Sequence, residues 1–180
     1  WKRDWVVPSP NIPTFMSAVV FPGTVIFEGT NVSEGRGTTH PFEWIGAPFI
    51  NADQLADELN AQKNPGVFFR AIYFQPTFHK GKDQICGGVQ IHVTDRKKFN
   101  SFHAGTRLLA KIVELYPKDF AWKHPPYEYE YEKMPADLIA GTSQLRTDLD
   151  AKLGVKSFEQ RVKADVARFM KIRKNYLLYK

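Results

Sequence analysis

Residues 87–96, GGVQIHVTDR, set apolar and polar side chains in strict alternation, and that pattern leaves this chain little freedom. A period of two is the period of an extended strand, so Val89, Ile91 and Val93 share one face while Gln90, His92 and Thr94 share the other. One face needs an apolar layer against it. The other suits either solvent or the wall of a cleft. Around this strand, VFFRAIYF (67–74) is β-branched and aromatic and reads as a second strand. The apolar run SAVVFPGTVIF reads as a first strand over Ala18–Phe27, and PPYEYEYE as an edge strand guarded by its charges.

The covering layer is written in a different period. ADQLADELNAQ, capped by Asn51, puts Leu55 and Leu59 one turn apart. FHAGTRLLAKIVELYP gathers Leu108, Leu109, Ile112, Val113 and Tyr116 on one side, and TSQLRTDLDAKLG spaces Leu145, Leu149 and Leu153 four apart before Gly154. Ser157 and Gln160 form a capping-box pattern ahead of a helix carrying Phe158, Val162, Val166, Phe169 and Met170. Residues 1–16 hold three prolines and read as an extended lead-in. Strands and helices mix without a strict βαβ order. The expectation is a single α+β domain over residues 1–180, with a mixed β-sheet packed against several α-helices.

Between the first strand and the rest lies FEGTNVSEGRGTTHPFE, Phe27–Glu43, where three carboxylates, one arginine and one histidine sit among three glycines. Ligand-handling loops on rigid scaffolds look like this. Glu28 and Glu34, with a turn between them, could flank one small ligand, as the paired carboxylates of glycosidic cleavage do. Arg36 beside them could hold either one ionised or clamp a substrate carboxylate. The loop lacks the lysine–hydroxyl pair of a P-loop and the spacing of a dinucleotide fingerprint. His92 and Asp95 point to opposite faces of a strand and no metal-binding motif occurs, so no metal site is expected. The lone Cys86 reads as core, and no serine sits in a nucleophile elbow.

Charge is uneven along the chain. The formal net charge is +6, and residues 152–180 alone contribute +7, from nine Lys/Arg against Glu159 and Asp165. A solvated helix face accounts for this better than a nucleic-acid site, since no nucleic-acid-binding signature accompanies it. No apolar stretch approaches the roughly 20 residues that span a bilayer. The chain begins at Trp1 without a methionine or a signal-like segment, and reads as trimmed.

Five pieces, PSPNIPT, FPGTVIFEGTNVSEGRGTTHPFEWIGAPFI, GVQIHVTDR, LIAGTSQLR and the closing YLLY, together resemble the NamZ-type exo-β-N-acetylmuramidases. That bacterial family was long catalogued as a domain of unknown function, and the match is to its C-terminal part. The resemblance implies removal of N-acetylmuramic acid from the non-reducing end of peptidoglycan fragments, without a metal or organic cofactor. It implies three further things: a peptidoglycan-derived saccharide as substrate, a Rossmann-like N-terminal domain of the same protein with the cleft between the halves, and a bacterial cell-envelope address, periplasmic or secreted. Catalytic roles then fall on Glu28 and Glu34. Substrate-binding roles fall on Asn31, Arg36, His40, Gln90, His92, Asp95 and Arg96, with His40 standing where the family's motif is expected to carry arginine. Arg36 or Arg96 would meet the lactyl carboxylate. The competing reading is a carbohydrate- or wall-binding module whose chemistry lies in the missing half.

Overall fold

The computed structural model describes residues 4–179; the first three residues of the lead-in and Lys180 lie outside them. The run expected to be the first strand is helical. α1 spans Phe15–Thr24 and passes directly into a 3-10 turn, Val25–Gly29. Its start is fixed by Thr14, whose hydroxyl accepts the Ser17 backbone N–H at 2.9 Å. The hydroxyls of Thr14 and Ser17 both donate to Glu43 Oε1 at 2.8 Å, which places a buried carboxylate at the positive end of the helix. Pro22 lies inside the helix and offers no N–H to the carbonyl of Ala18 four residues back. β propensity along the run gives no hint of a cap partner 29 residues away.

β1 (Trp44–Ala47), β2 (Val67–Phe74) and β3 (Cys86–Val93) make one sheet in the order β1-β3-β2. Both seams are antiparallel, with Trp44 opposite Gln90 and Phe69 opposite Ile91. The α+β class holds, but the sheet is wholly antiparallel rather than mixed. The reason is the route of the chain. α2 (Ala52–Ala61) carries it from one edge of the sheet to the other, and β3 then returns between two strands that run the same way.

The alternation in β3 is kept: Val89 and Ile91 are buried while His92 and Thr94 are exposed. α2 starts at Asn51, whose side chain accepts from the Gln54 N–H at 3.0 Å, and buries Leu55 and Leu59 with the sheet. α3 (Ser101–Leu115) adds Leu108, Leu109 and Ile112 to the same core. α1 crosses α3 backbone to backbone. A β-carbon at Gly23 would stand 1.8 Å from Ser101 O, and one at Gly105 2.1 Å from Gly23 O, so neither position accepts a side chain without parting the helices.

The C-terminal quarter departs further from its pattern. PPYEYEYE is no edge strand. Tyr127 and Glu130 bond to each other across a tight turn at 2.8 and 2.9 Å, with Glu128 and Tyr129 both at positive φ. α4 (Pro135–Ala140) and α5 (Gln144–Asp150) follow, and Leu153 lies beyond the end of α5, exposed. α6 (Lys156–Arg173) begins at Val155 with no side-chain cap. Ser157 is inside the helix, where its hydroxyl accepts from Arg161 at 3.0 Å, so the expected capping box does not form. Only Phe158 of α6 is buried, and Val166, Phe169 and Met170 face solvent. Among the described residues no helix is long and apolar enough to cross a membrane.

Candidate functional site

The chain leaves the 3-10 turn at Glu28 and folds the next loop back on itself. Gly35 and Gly37 take φ of +77° and +81°. A β-carbon on Gly37 would meet the Phe78 backbone at 2.7 Å, so the loop lies directly against the segment between β2 and β3. Thr77 fastens the contact through its backbone N–H and its hydroxyl, both donating to Gly37 O at 2.9 and 3.0 Å. That segment delivers His79 and Lys80 into the charged loop.

Lys80 organises the centre of the cluster. Its ammonium donates to Phe27 O at 2.7 Å, Val32 O at 2.8 Å and Thr30 O at 3.1 Å, and stands 2.6 Å from Glu34 Oε2. Glu34 is completely buried. Its other oxygen lies 3.1 Å from Arg36 Nε and 3.3 Å from His79 Nδ1. Burial drives the Lys80 pKa down, and the Glu34 carboxylate offsets this only in part.

Arg36 also reaches Glu28, with Nη2 to Oε1 at 2.5 Å, and the Tyr127 hydroxyl donates to Glu28 Oε2 at 2.7 Å. One guanidinium therefore bridges two carboxylates, which holds Glu28 and Glu34 within about 8 Å of each other, the two contacts plus the span of the fork. Partial burial pushes the Glu28 pKa up, but the hydrogen bonds from Arg36 and Tyr127 outweigh it and the net shift is downward. Burial, then the Glu28 carboxylate, pushes the Tyr127 phenol up. At neutral pH the pair is an ionised carboxylate accepting from a neutral phenol.

Beside this cluster opens a cavity of about 410 Å³ lined by Thr30, Asn31, His79, Lys80, Trp122 and Lys123. The Lys123 ammonium lies 5.6 Å over the Tyr127 ring. Asn31 contributes less than its position suggests. Its amide donates to Asp119 O at 2.8 Å and accepts from the Ala121 N–H at 2.9 Å, so the side chain is spent pinning the loop that carries Trp122.

The remaining expected residues gather elsewhere. Gln90 accepts from Arg70 at 2.5 Å on the wet face of the sheet, and His40 stacks on Trp44 at 4.6 Å between ring centres. Partial burial, followed by the Arg70 charge, lowers the His92 pKa. Asp95 accepts from the Lys97 N–H at 2.9 Å, and the Arg96 guanidinium lies 5.5 Å over the Phe15 ring. Among the described residues no hydrogen bond or ion pair joins Gln90, His92, Asp95 or Arg96 to Glu28, Glu34 or Arg36. Reading the sequence missed His79, Lys80, Trp122, Lys123 and Tyr127. The first two sat in a polar loop with no motif, and Tyr127 in a supposed strand. Among the described residues no three of His, Cys, Asp and Glu are placed to hold a metal ion.

Together these features define an α+β domain whose cross-linked charge cluster lies on a braced loop beside the sheet rather than on the sheet itself. The chain belongs to the family described as exo-β-N-acetylmuramidase NamZ, C-terminal, which matches residues 19–179. It is similar to the peptidoglycan β-N-acetylmuramidase NamZ of Bacillus subtilis (strain 168), with 43% identity over 99% of this chain and 44% of that protein. Two solved DUF1343 family proteins from Bacteroides fragilis share the fold. One is 27% identical with a TM-score of 0.85 over 98% of this chain and 46% of its own length. The other is 25% identical with a TM-score of 0.66 over 97% and 44%. The chain thus spans less than half the length of these relatives.

Proposed function

We propose that this domain forms part of a peptidoglycan-degrading exo-β-N-acetylmuramidase, supplying its charged loop to an inter-domain cleft where terminal β-linked N-acetylmuramic acid is hydrolysed. Family membership supports the substrate class. The observation that carries the chemistry is Glu28, ionised, partly exposed and fixed by Arg36 and Tyr127 beside an open cavity. A carboxylate so held can act as base or nucleophile at a sugar carbon. Muramic acid also brings a lactyl carboxylate. Arg36 is occupied by two glutamates and Lys80 by Glu34 and three carbonyls, so Lys123, the other lysine lining the cavity, suits that group better.

The test is release of chromophore from a β-linked N-acetylmuramic acid aryl glycoside, by this domain alone and by the complete gene product. Turnover is expected only from the complete protein, because a cleft between halves places its groups only when both are present. Lys123→Ala should lower selectivity over the N-acetylglucosamine glycoside by roughly ten- to a hundredfold, the loss of one charged hydrogen bond. Sugar binding without turnover by the complete protein would replace this reading with that of a binding module.

A further inference from the structure

Hydrolysis of a glycoside needs a proton on the departing oxygen, and neither glutamate is placed to give one. Glu28 is held ionised by its partners. Glu34 has no exposed surface and lies under Lys80 and Arg36, so it reaches no ligand directly. Two side chains touch Glu34 and also line the cavity, and Lys80 spends its ammonium on Glu34 and three backbone carbonyls, which leaves His79. His79 sets Nδ1 3.3 Å from Glu34 Oε1 while its side chain is 45% exposed. Its backbone holds φ of +68°, a conformation that few residues with a β-carbon adopt, so the fold dictates where the ring sits. We propose that His79 is the general acid for the departing sugar oxygen and that Glu34 is the residue that positions it.

The arrangement follows the logic of a buried carboxylate steering an imidazole. At rest the two groups are close without a formed hydrogen bond, and in the proposed step Glu34 Oε1 accepts a hydrogen bond from Nδ1–H and so keeps that proton on the inward nitrogen. That leaves Nε2 as the working atom. The imidazolium Nε2–H gives its proton to the glycosidic oxygen, which keeps the electron pair of the breaking C1–O bond. The water that adds to C1 releases a proton that restores the imidazolium, so one water is consumed and no other reactant is required. Glu28 lies across Arg36 from this pair. The inference rests on the glycosidase reading above.

Leaving-group dependence tests it in the complete protein. An aryl glycoside with an acidic phenol departs without help, whereas N-acetylmuramyl-N-acetylglucosamine does not. His79→Asn should lower kcat/KM on the disaccharide by about 10²- to 10⁴-fold, and on the 4-nitrophenyl glycoside by less than about tenfold. His79→Gln is made in parallel, and whichever variant melts with the parent is the one compared. Equal loss on both substrates, or no loss on the disaccharide, overturns the acid role while leaving the glycosidase reading intact. A parent protein that cleaves neither substrate takes both down.

Discussion

The loop at residues 27–43 and helix α6 both carry conspicuous charge, and they use it in different ways. In the loop each of the three carboxylates meets a partner brought from far along the sequence, while Arg36 braces two of them from within the loop. Glu28 meets Tyr127, Glu34 meets His79 and Lys80, and Glu43 meets Thr14 and Ser17. Beyond the second turn of α6 the ion pair is local and wet. Arg168 reaches Asp165 at 2.6 Å with both side chains largely exposed, an arrangement that contributes about 0–1 kcal/mol at most. The first two turns of α6 are tied across the fold, by Arg107 to Glu159 at 2.7 Å and by Arg161 to the buried Asp148 of α5. Composition does not separate a built charge cluster from a solvated one. The distance in sequence between partners does.

The strongest way to break this contrast is Lys80→Met. The change removes three bonds to loop carbonyls and leaves the buried Glu34 facing one fewer cation. Orphaning one partner of a buried pair costs about 3–5 kcal/mol. The expected result is a loss of that size in denaturant unfolding. A loss below about 1 kcal/mol, the range of exposed pairs, would mean that the loop is no more built than α6.

A smaller effect separates Glu28 from its neighbours by pH. Its folded pKa lies below the unfolded carboxylate value, so the stabilisation it gives is complete above about pH 4.3 and fades as pH falls through the lower folded pKa. Glu28→Gln removes that contribution. The gap in Tm between parent and variant should stay constant above about pH 5 and close in more acidic solution. A gap that widens on acidification would reverse the sign assigned to this group.

The same contrast explains which parts of the molecule were readable from sequence. β3, α2 and α3 were, because each carries its own period and each of the two helices its own cap, in Asn51 and Asn100. The first apolar run was not, since what makes it a helix is Thr14 braced by Glu43 together with glycine-to-glycine contact with α3. The cluster of Glu28, Glu34 and Arg36 could be suspected from its density. His79, Lys80 and Tyr127 could not, because they reach it only through turns whose geometry no local pattern records. Gln90 and His92 show the converse. Their alternation was right, and it set them on an exposed face where Trp44 lies opposite Gln90 and His40 of the loop stacks on Trp44.

The smallest effect belongs to α6. Val166, Phe169 and Met170 are 51%, 59% and 43% exposed and none packs against the hydrophobic core, so replacing all three with serine leaves that core intact. Each change should alter unfolding free energy by no more than about 0.5 kcal/mol, apart from a slight loss of helix propensity. An isolated domain with these substitutions should therefore unfold at nearly the same denaturant midpoint as its parent. The same triple variant in the complete protein sharpens the comparison. A loss there of about 1.5–3 kcal/mol per residue would show that the stripe is a covered face, since that is what burying such side chains contributes. No loss in either form leaves α6 as a solvated arm, and its basic groups as surface charge.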